Sequence, residues 1–321
     1  MVKALGLFSG GLDSILAAKL LQEQGIKVEL INFHTPFFPP KNAKEMAKKL
    51  KIKLKEVDVT KEYLKVLRKP KHGYGSEMNP CIDCKIFMLK KAKSYAKKIN
   101  AKFIFTGEVL GERPMSQIKS SMQLIEKESC LEGRLLRPLS AKLLPETEAE
   151  KKWVDRNKLM DISGRGRYKQ EGLAKKFGIK EYPQPSGGCL LTHIEYARKI
   201  KDLLKNKKSI KKEDIELLKI GRHFRYGKNK IIVGRNEKEN KELLKRKEKT
   251  DYMFEATYWG SPITILKGPK TKKAILLAAS ITARYSDSDD EKTLVKYGKK
   301  KLAKPITVST IKKGKIESLR I

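Results

Sequence analysis

The chain has 321 residues, which is enough for two domains with a sizeable core in each. Its 73 Lys and Arg residues outnumber 37 Asp and Glu residues and give a formal net charge of +36, so a polyanion such as RNA or DNA is the expected partner. No apolar run is long enough for a membrane span, and four cysteines are too few for a disulfide framework. A cytosolic protein with no membrane partner is therefore expected.

The first motif is the six-residue stretch SGGLDS (9–14), which lies at a strand-to-helix junction. The apolar residues 2–8 predict a buried strand, and residues 15–24 predict an amphipathic helix that ends at Gly25. Free backbone N–H groups at a helix N-terminus attract anions, and glycine lets the backbone approach a phosphate, so the loop predicts a phosphate or pyrophosphate site. It lacks the Lys-Ser/Thr of a Walker loop and the third glycine of a dinucleotide fingerprint. The alternative is an ordinary glycine-rich turn in which Asp13 caps the helix.

Strands and helices alternate along the chain after this junction. Strands are predicted at residues 27–35, 54–60 and 102–108, with helices at 42–50, 61–67 and 85–99. This alternation predicts an α/β fold with a doubly wound parallel sheet, in which ligands bind beyond the carboxyl ends of the strands. His34 follows the second strand and is equally consistent with a role beside a nucleotide base and with a structural role.

Three cysteines form the second motif. NPCIDCK holds Cys81 and Cys84 directly before an amphipathic helix, and Cys189 follows two glycines in PSGGCLLT. A CxxC pair with one distant cysteine gives three thiolate ligands, which suit an iron-sulfur cluster with one open iron. Two alternatives remain: a persulfide on Cys189 that Cys81 or Cys84 resolves as a disulfide, and a zinc ion completed by a histidine such as His193. Cys130 is the candidate for a fourth ligand, but its position at a helix end, without a glycine or proline bend, favours a structural thiol.

The composition changes near residue 198, where Lys and Arg become dense. We place the boundary so that residues 1–205 form the nucleotide-binding catalytic domain and residues 206–321 form a smaller, basic α+β domain. Aromatic side chains among the basic ones predict stacking on unpaired bases. The residues expected to contact RNA are Arg222, Arg225, Tyr226, Arg235 and Trp259, with Phe224 and Tyr258 as further stacking candidates. The alternative is a basic domain whose charged faces are only solvated.

These motifs resemble known families. SGGLDS resembles the pyrophosphatase loop (PP-loop) of the adenine-nucleotide alpha-hydrolase superfamily. Together with the CxxC pair and the later cysteine, and with the fragments TGEVLGERPMSQ and LLRPL, it resembles the iron-sulfur-dependent branch of the tRNA thiouridine synthases. VGRN, GSP and the alanine-rich helix that ends in YS resemble the RNA-binding domain of the NFACT proteins. Because SGGLDS already begins at Ser9, with no tRNA-binding domain of the 4-thiouridine synthase type ahead of it, the second domain is expected to hold the RNA.

The resemblance implies an ATP-dependent tRNA sulfurtransferase, which adenylates a carbonyl oxygen of uridine or a related base, releases pyrophosphate and replaces the oxygen with sulfur. The implied cofactors are ATP, Mg²⁺ and a [4Fe-4S] cluster on Cys81, Cys84 and Cys189; the implied partners are tRNA and a sulfide or persulfide donor. Catalytic roles fall to Cys189, Asp13 and Lys85, although Lys85 is equally consistent with a helix-surface lysine. The implied ATP-binding residues are Ser9, Gly10, Gly11, Leu12, Asp13, Ser14, His34 and Gly107.

Two other functions fit parts of the sequence. A PP-loop RNA ligase or amidation enzyme would use an amine as the nucleophile, and such chemistry has no use for three cysteines. A non-catalytic RNA-binding factor would explain the charge and the second domain, but it has little reason to keep SGGLDS. Pyrophosphate release in the presence of tRNA separates an enzyme from a binding factor.

Overall fold

The computed structural model describes residues 1–184 and 189–321. The chain folds into two compact units, Met1–Thr192 and His193–Ile321. Helix Ile194–Asn206 therefore falls in the second unit, whereas the boundary expected from composition, between residues 205 and 206, lies at the end of this helix. None of the helices in the described residues is long and apolar enough to cross a membrane.

The first unit is built on a five-stranded parallel sheet. In spatial order the strands are β3, β2, β1, β4 and β5, so the order reverses at the central strand β1. Their bounds are β1 Lys3–Leu7, β2 Lys27–His34, β3 Leu54–Asp58, β4 Phe103–Thr106 and β5 Leu135–Leu136. In open sheets of this type, the crevice beyond the carboxyl ends of the strands on either side of the reversal binds ligands. SGGLDS follows β1 and the TGE sequence follows β4, so both lie at this crevice.

Helices pack around the sheet of the first unit. Their bounds are α1 Leu12–Gln22, α2 Lys41–Lys49, α3 Thr60–Arg68, α4 Cys81–Lys98, α5 Lys119–Ser129, α6 Glu148–Lys152 and α7 Tyr168–Lys176. Helix α1 is apolar on nearly all sides and is therefore buried on two of them. Ile15 packs in one buried cluster with Phe105, and Leu12 and Leu16 pack in a second cluster with Val109. This burial on two sides holds the start of α1, and thus SGGLDS, in place.

Two helices begin earlier than the sequence pattern predicts. Helix α1 begins at Leu12 with Gly11 as its N-cap, so Asp13 lies inside the first turn and does not cap the helix. Helix α4 begins at Cys81 directly after Pro80, so Cys81 and Cys84 lie in its first turn and not before it. Apolar periodicity marks where a helix has a buried face, whereas these first turns carry polar and thiol groups that the periodic pattern does not count.

The second unit is built on a six-stranded antiparallel sheet in the order β11, β10, β8, β9, β7, β6. The strands are β6 Arg222–Tyr226, β7 Asn229–Val233, β8 Tyr252–Ala256, β9 Thr264–Lys267, β10 Thr293–Gly298 and β11 Lys304–Val308. The helices are α8 Ile194–Asn206, α9 Lys212–Leu217, α10 Glu237–Arg246, α11 Lys272–Arg284 and α12 Lys313–Leu319. Both faces of the sheet are covered, since Ile231 packs in the cluster of α11 and the next residue, Ile232, in the cluster with Leu243 of α10.

Each edge of this antiparallel sheet has its own protection. Along β6, Arg320 forms a bridge to Phe224, and the Ile321 amide donates a hydrogen bond to the His223 carbonyl at 3.0 Å. Along β11, Pro305 has no N–H to offer to a further strand. The prediction of a doubly wound parallel sheet followed by a smaller basic α+β domain is confirmed.

Candidate active site

A cavity of about 360 Å³ lies at the carboxyl ends of β1 and β4. It is bounded by SGGLDS, the end of β2, the first turn of α4, and the loops that follow β4 and precede α7. The lining residues that carry the chemistry are Ser9, Gly11, Leu12, Asp13, Ser14, Asn32, Cys81, Cys84, Lys85, Gly107, Glu108, Glu112, Arg113 and Arg167. The phosphate loop and the CxxC pair, predicted as separate motifs, thus open into one space.

The SGGLDS loop is held by its own hydrogen bonds. The Gly11 amide donates to Ser9 Oγ at 3.2 Å, and the Ser14 hydroxyl donates to the Gly11 carbonyl at 2.8 Å. The first intrahelical hydrogen bond of α1 runs from the Ile15 amide to the Gly11 carbonyl, so the amides of residues 12–14 precede it. Donors at the N-terminus of an eleven-residue helix beside a cavity suit a phosphate group.

Two glycines permit the close packing around this loop. A Cβ atom on Gly107 would lie 2.5 Å from the Ser14 amide nitrogen, so only glycine lets the TGE loop lie against the start of α1. Gly10 has a φ of +78°, and a Cβ there would lie 2.4 Å from the Asn42 carbonyl carbon. Gly10 does not line the cavity, but it sets the path of the loop.

Asp13 is the carboxylate nearest to the predicted phosphate site. Burial raises its pKa, and the Arg167 guanidinium opposes that change. Within the described residues its buried Oδ1 atom has no hydrogen-bond partner. A buried carboxylate oxygen without a partner fits a Mg²⁺ ion, which takes one or two carboxylates together with phosphate oxygens. Burial likewise raises the pKa of Glu112 in the same cavity, and Asp13 adds to that increase.

Two arginines enter the cavity from separate loops. The Gly164 amide donates to the Leu110 carbonyl at 2.7 Å, and Leu110 and Ser163 form a bridge, so the loops that carry Arg113 and Arg167 are joined. Both guanidiniums lower the pKa of Asp13 from its burial-raised value. Their charges suit the negative charge of a nucleotide triphosphate.

The three candidate thiols share one electrostatic neighbourhood. Burial raises the pKa of Cys84 to about 12, and Cys81 and Cys189 add to the increase. The Met78 amide donates to the Leu191 carbonyl at 3.2 Å, which joins the Cys189 segment to the chain just before α4. Cys130, in contrast, is exposed at the end of α5.

The three thiols are suitable ligands for an iron-sulfur cluster, but the part of the chain that the structure describes does not bring them together as a metal site. In residues 1–184 and 189–321, no three His, Cys, Asp or Glu side chains are gathered closely enough to hold a metal ion. Burial raises the pKa of Cys84 to about 12 and also raises the pKa of Cys189, so metal binding to these two thiols would have to release protons. Gly187 and Gly188, expected to allow a bulky cofactor near Cys189, lie outside the described residues.

Lys85 belongs to a buried ion-pair network and is not an isolated surface lysine. Its Nζ atom lies 3.2 Å from Glu108 Oε1, and Arg137 Nε lies 3.2 Å from Glu108 Oε2. Thr106 Oγ1 donates to Glu108 at 3.0 Å, and Arg137 also pairs with Glu126. Burial acts to raise the pKa of Glu108, but Lys85 and Arg137 lower it to about 2. Burial acts to lower the pKa of Lys85, but Glu108, Cys81 and Cys84 together raise it, and the net change is upward.

Most of the residues expected to bind ATP meet at the cavity, but His34 does not. It lies at the end of β2, outside the lining of the cavity, so its expected ATP contact gains no support. Asn32, two residues earlier, does line the cavity, and its buried Oδ1 atom has no partner among the described residues. Asn32, Glu108 and the two arginines are site residues that the sequence did not reveal. The sequence signals for these residues were short glycine-containing fragments: TGE, GERP and SGRGR. Such fragments indicate loops, but they do not indicate which side chain faces a ligand.

The residues expected to contact RNA have different surroundings in the second unit. Tyr226 and Trp259 are partly exposed, at 38% and 42%, whereas Phe224 is fully buried, so the prediction that Phe224 stacks on bases is wrong. Strand alternation turns Phe224 into the core. Arg225 forms two hydrogen bonds with Asp202, at 2.8 and 2.6 Å. Arg222 and Arg235 line a pocket in this unit.

The two parts of the chain match different family models. Residues 1–142 match the model described as "Thiamine biosynthesis protein (ThiI)". Residues 221–320 match the model described as "NFACT protein RNA binding domain".

Curated relatives that are similar to the N-terminal segment carry the name "Probable tRNA sulfurtransferase". The protein from Macrococcus caseolyticus is 33% identical over 146 residues, which cover 43% of this chain and 34% of that protein. The protein from Thermococcus kodakarensis is 31% identical over 146 residues, which cover 43% of this chain and 36% of that protein. The matched region thus spans about one third of the length of these relatives. A solved 4-thiouridine synthetase–RNA complex with bound ATP is 22% identical, with a TM-score of 0.37, covering 56% of this chain and 52% of that one.

Proposed function

We propose that the protein is an ATP-dependent tRNA sulfurtransferase. The observation that carries the proposal is the single cavity that holds both the SGGLDS loop and the CxxC pair, with Cys189 in the electrostatic neighbourhood of that pair. The names of the curated relatives support the reaction, and the NFACT-type domain supports RNA as the partner. An amine-transferring ligase would leave the three thiols without a role.

The first half of the reaction makes the base carbonyl oxygen a leaving group. ATP binds with its phosphates on the amides of residues 12–14 and with its Mg²⁺ on Asp13. The carbonyl oxygen of a uridine or related base attacks the α-phosphorus, the bond to the β-phosphate oxygen breaks, and pyrophosphate leaves. Arg113 and Arg167 line the cavity and stabilise the charge that develops on the phosphates, because they are cations held in place before the reaction.

The second half replaces oxygen with sulfur. Sulfide attacks the activated carbon, the carbon–oxygen bond breaks, and AMP leaves with the former carbonyl oxygen. We propose that Cys81, Cys84 and Cys189 hold a [4Fe-4S] cluster, which would supply an open iron as a Lewis acid for the sulfide. Lys85, held charged by Glu108 at 3.2 Å, lies beside these thiols and steadies the phosphoryl group of the adenylate. The sulfur donor, sulfide or a persulfide carrier, and a cytosolic location remain predictions.

The proposal is tested with protein purified without oxygen. The chain is incubated with ATP, Mg²⁺, sulfide and unmodified tRNA, while pyrophosphate release and nucleoside masses are measured. We expect pyrophosphate and one thiolated nucleoside, together with a brown protein that contains about four irons per chain. Pyrophosphate release without a thiolated nucleoside would support an amine-using ligase, and no release would support a binding factor.

The same preparation separates the cluster from the persulfide mechanism. Replacing Cys81, Cys84 or Cys189 with Ala should remove colour and thiolation together, whereas Cys130→Ala, a matched control at an exposed thiol, should keep both. A colourless, iron-free protein that thiolates tRNA in air with a persulfide donor would overturn the cluster. In that case a trapped disulfide at Cys189 would establish the persulfide mechanism.

A further inference from the structure

A second large cavity, of about 390 Å³, lies within the second unit. It is formed by the start of α8, the start of β6 and the end of α12. Five basic side chains line it: Arg198, Lys199, Arg222, Arg235 and Arg320. Two acidic side chains, Glu195 and Glu317, are also part of the lining, with Ile194 and Ile321 as apolar parts. The volume falls in the range of ligand pockets, roughly 300–1,000 Å³, and exceeds the needs of a single inorganic ion.

Only part of this basic charge is neutralised by the protein. Arg235 pairs with Glu239, and Arg320 lies 3.7 Å from Glu195 and 3.9 Å from Glu317. The other three cations are Arg198, Lys199 and Arg222. In residues 193–321 no carboxylate lies within salt-bridge distance of them. The pocket therefore has an excess of positive charge.

Lys199 shows the effect of this excess. Its Nζ atom lies 3.4 and 3.3 Å from the carbonyl oxygens of Leu218 and Gly221, which hold the ammonium at the pocket. Burial lowers its pKa, and Arg235 and Arg320 lower it further by repulsion. An anion in the pocket would relieve this repulsion.

His223 is also among the residues that line the pocket. The side chain is fully buried, and its Nε2 atom lies 2.7 Å from the Ile220 carbonyl oxygen. Because a carbonyl only accepts, Nε2 carries the proton, and burial together with Lys230 and Lys199 lowers the pKa of the ring so that it stays neutral. Nδ1 is therefore a bare acceptor, and it has no hydrogen-bond partner in the described residues.

Arg222 is held in place by an aromatic ring. Its guanidinium lies over the Tyr285 ring, 4.6 Å from the centroid. Stacking on one face fixes the orientation of the guanidinium and leaves its N–H groups for a phosphate. The pocket thus offers fixed cations for an anion.

We infer that this pocket binds one nucleotide of the RNA. Its phosphate would contact Arg198, Lys199 and Arg222. The inference deepens the proposed function and rests on its RNA partner. A free nucleotide has the same chemistry, but the NFACT-type domain and the net charge of +36 favour RNA.

The test measures binding of fluorescein-labelled tRNA to the full chain by anisotropy over a range of salt concentrations. The Arg198→Ala/Arg222→Ala variant is compared with Lys272→Ala/Lys273→Ala, which removes two exposed charges of the same unit outside the pocket. Each phosphate contact contributes about 0.7 to 0.9 to the slope of log affinity against log salt concentration. We therefore expect the slope of the pocket variant to be shallower by about 1.4 to 1.8. Its affinity near 0.1 M salt should fall by at least about ten-fold. Arg198→Lys/Arg222→Lys should recover most of the slope.

Pocket and control variants with equal slopes would overturn the inference. Competition by UMP at the same concentration as RNA would overturn RNA as the occupant. All these readouts are binding measurements, so a failed thiolation assay leaves them valid. If the protein thiolates tRNA but the pocket variants bind tRNA as the parent protein does, the inference about the pocket is refuted and the proposed function is not.

Discussion

The buried ion pairs of Glu108 support the first unit and orient Lys85 at the cavity, so Glu108→Gln should destabilise that unit. The neighbours of Glu108 lower its pKa from 4.5 to about 2. At 1.36 kcal/mol per pKa unit, this difference corresponds to a stabilisation on the order of 3 kcal/mol at neutral pH. Removing one partner of a buried pair costs about 3 to 5 kcal/mol, so both approaches give a similar loss.

The loss is measured by urea unfolding of the full chain, with Trp153 fluorescence as the probe. Trp153 stacks on Phe103 in the core of the first unit, and replacing Trp259 with Phe leaves it as the single tryptophan. The matched control is Glu62→Gln, because Glu62 pairs with Lys91 at 2.7 Å but is 53% exposed. We expect the control to lose at most about 1 kcal/mol.

The pH dependence tests the same network. A carboxylate with a lowered folded-state pKa stabilises the protein above its unfolded pKa and loses that contribution as pH falls through the folded value. The difference between the parent protein and Glu108→Gln should therefore be full at pH 7 and shrink from about pH 4.5 towards pH 2. A Glu108→Gln variant no less stable than Glu62→Gln, or a difference independent of pH, would refute the reasoning.

Three further predictions concern other parts of the chain. Asp13→Ala should abolish ATP-dependent pyrophosphate release while RNA affinity stays nearly unchanged; full activity would remove SGGLDS from the mechanism. Deleting residues 193–321 should flatten the salt dependence of tRNA binding by about 0.7 to 0.9 per lost phosphate contact, and an unchanged slope would mean that the basic charge is only solvated. Cys130 ends α5 with a φ of +54°, so Cys130→Gly should raise the free energy of unfolding by about 0.5 to 1 kcal/mol in the same urea assay, and a destabilised variant would contradict this.

The local motifs were predictable because they depend on short stretches of sequence. SGGLDS combines an apolar strand, two glycines and an amphipathic helix, and this pattern places the loop between β1 and α1 without knowledge of the rest of the chain. The CxxC pair likewise predicted two neighbouring thiols. The start of α1 at Leu12 was not predicted, since Gly11 serves as the N-cap without a side-chain hydrogen bond.

The charged parts of the site were not predictable because they depend on contacts between distant segments. Glu108 meets Lys85 from α4 and Arg137 from the end of β5, and no pattern in TGE or LLRPL specifies those partners. Arg167 reaches the cavity only because the loop before α7 is joined to the loop after β4. The burial of Phe224 follows from strand register, which a run of basic and aromatic residues does not reveal.

The protection of the β6 edge has a consequence for how the protein can be handled. Residues 320 and 321 are what cover part of that edge, and Arg320 is also one of the cations of the pocket. A chain shortened by these two residues would lose a positive charge and, in the same step, expose backbone donors and acceptors to which strands of other molecules can pair. Weaker RNA binding by such a chain would be confounded with self-association, so point substitutions within the pocket are the informative variants.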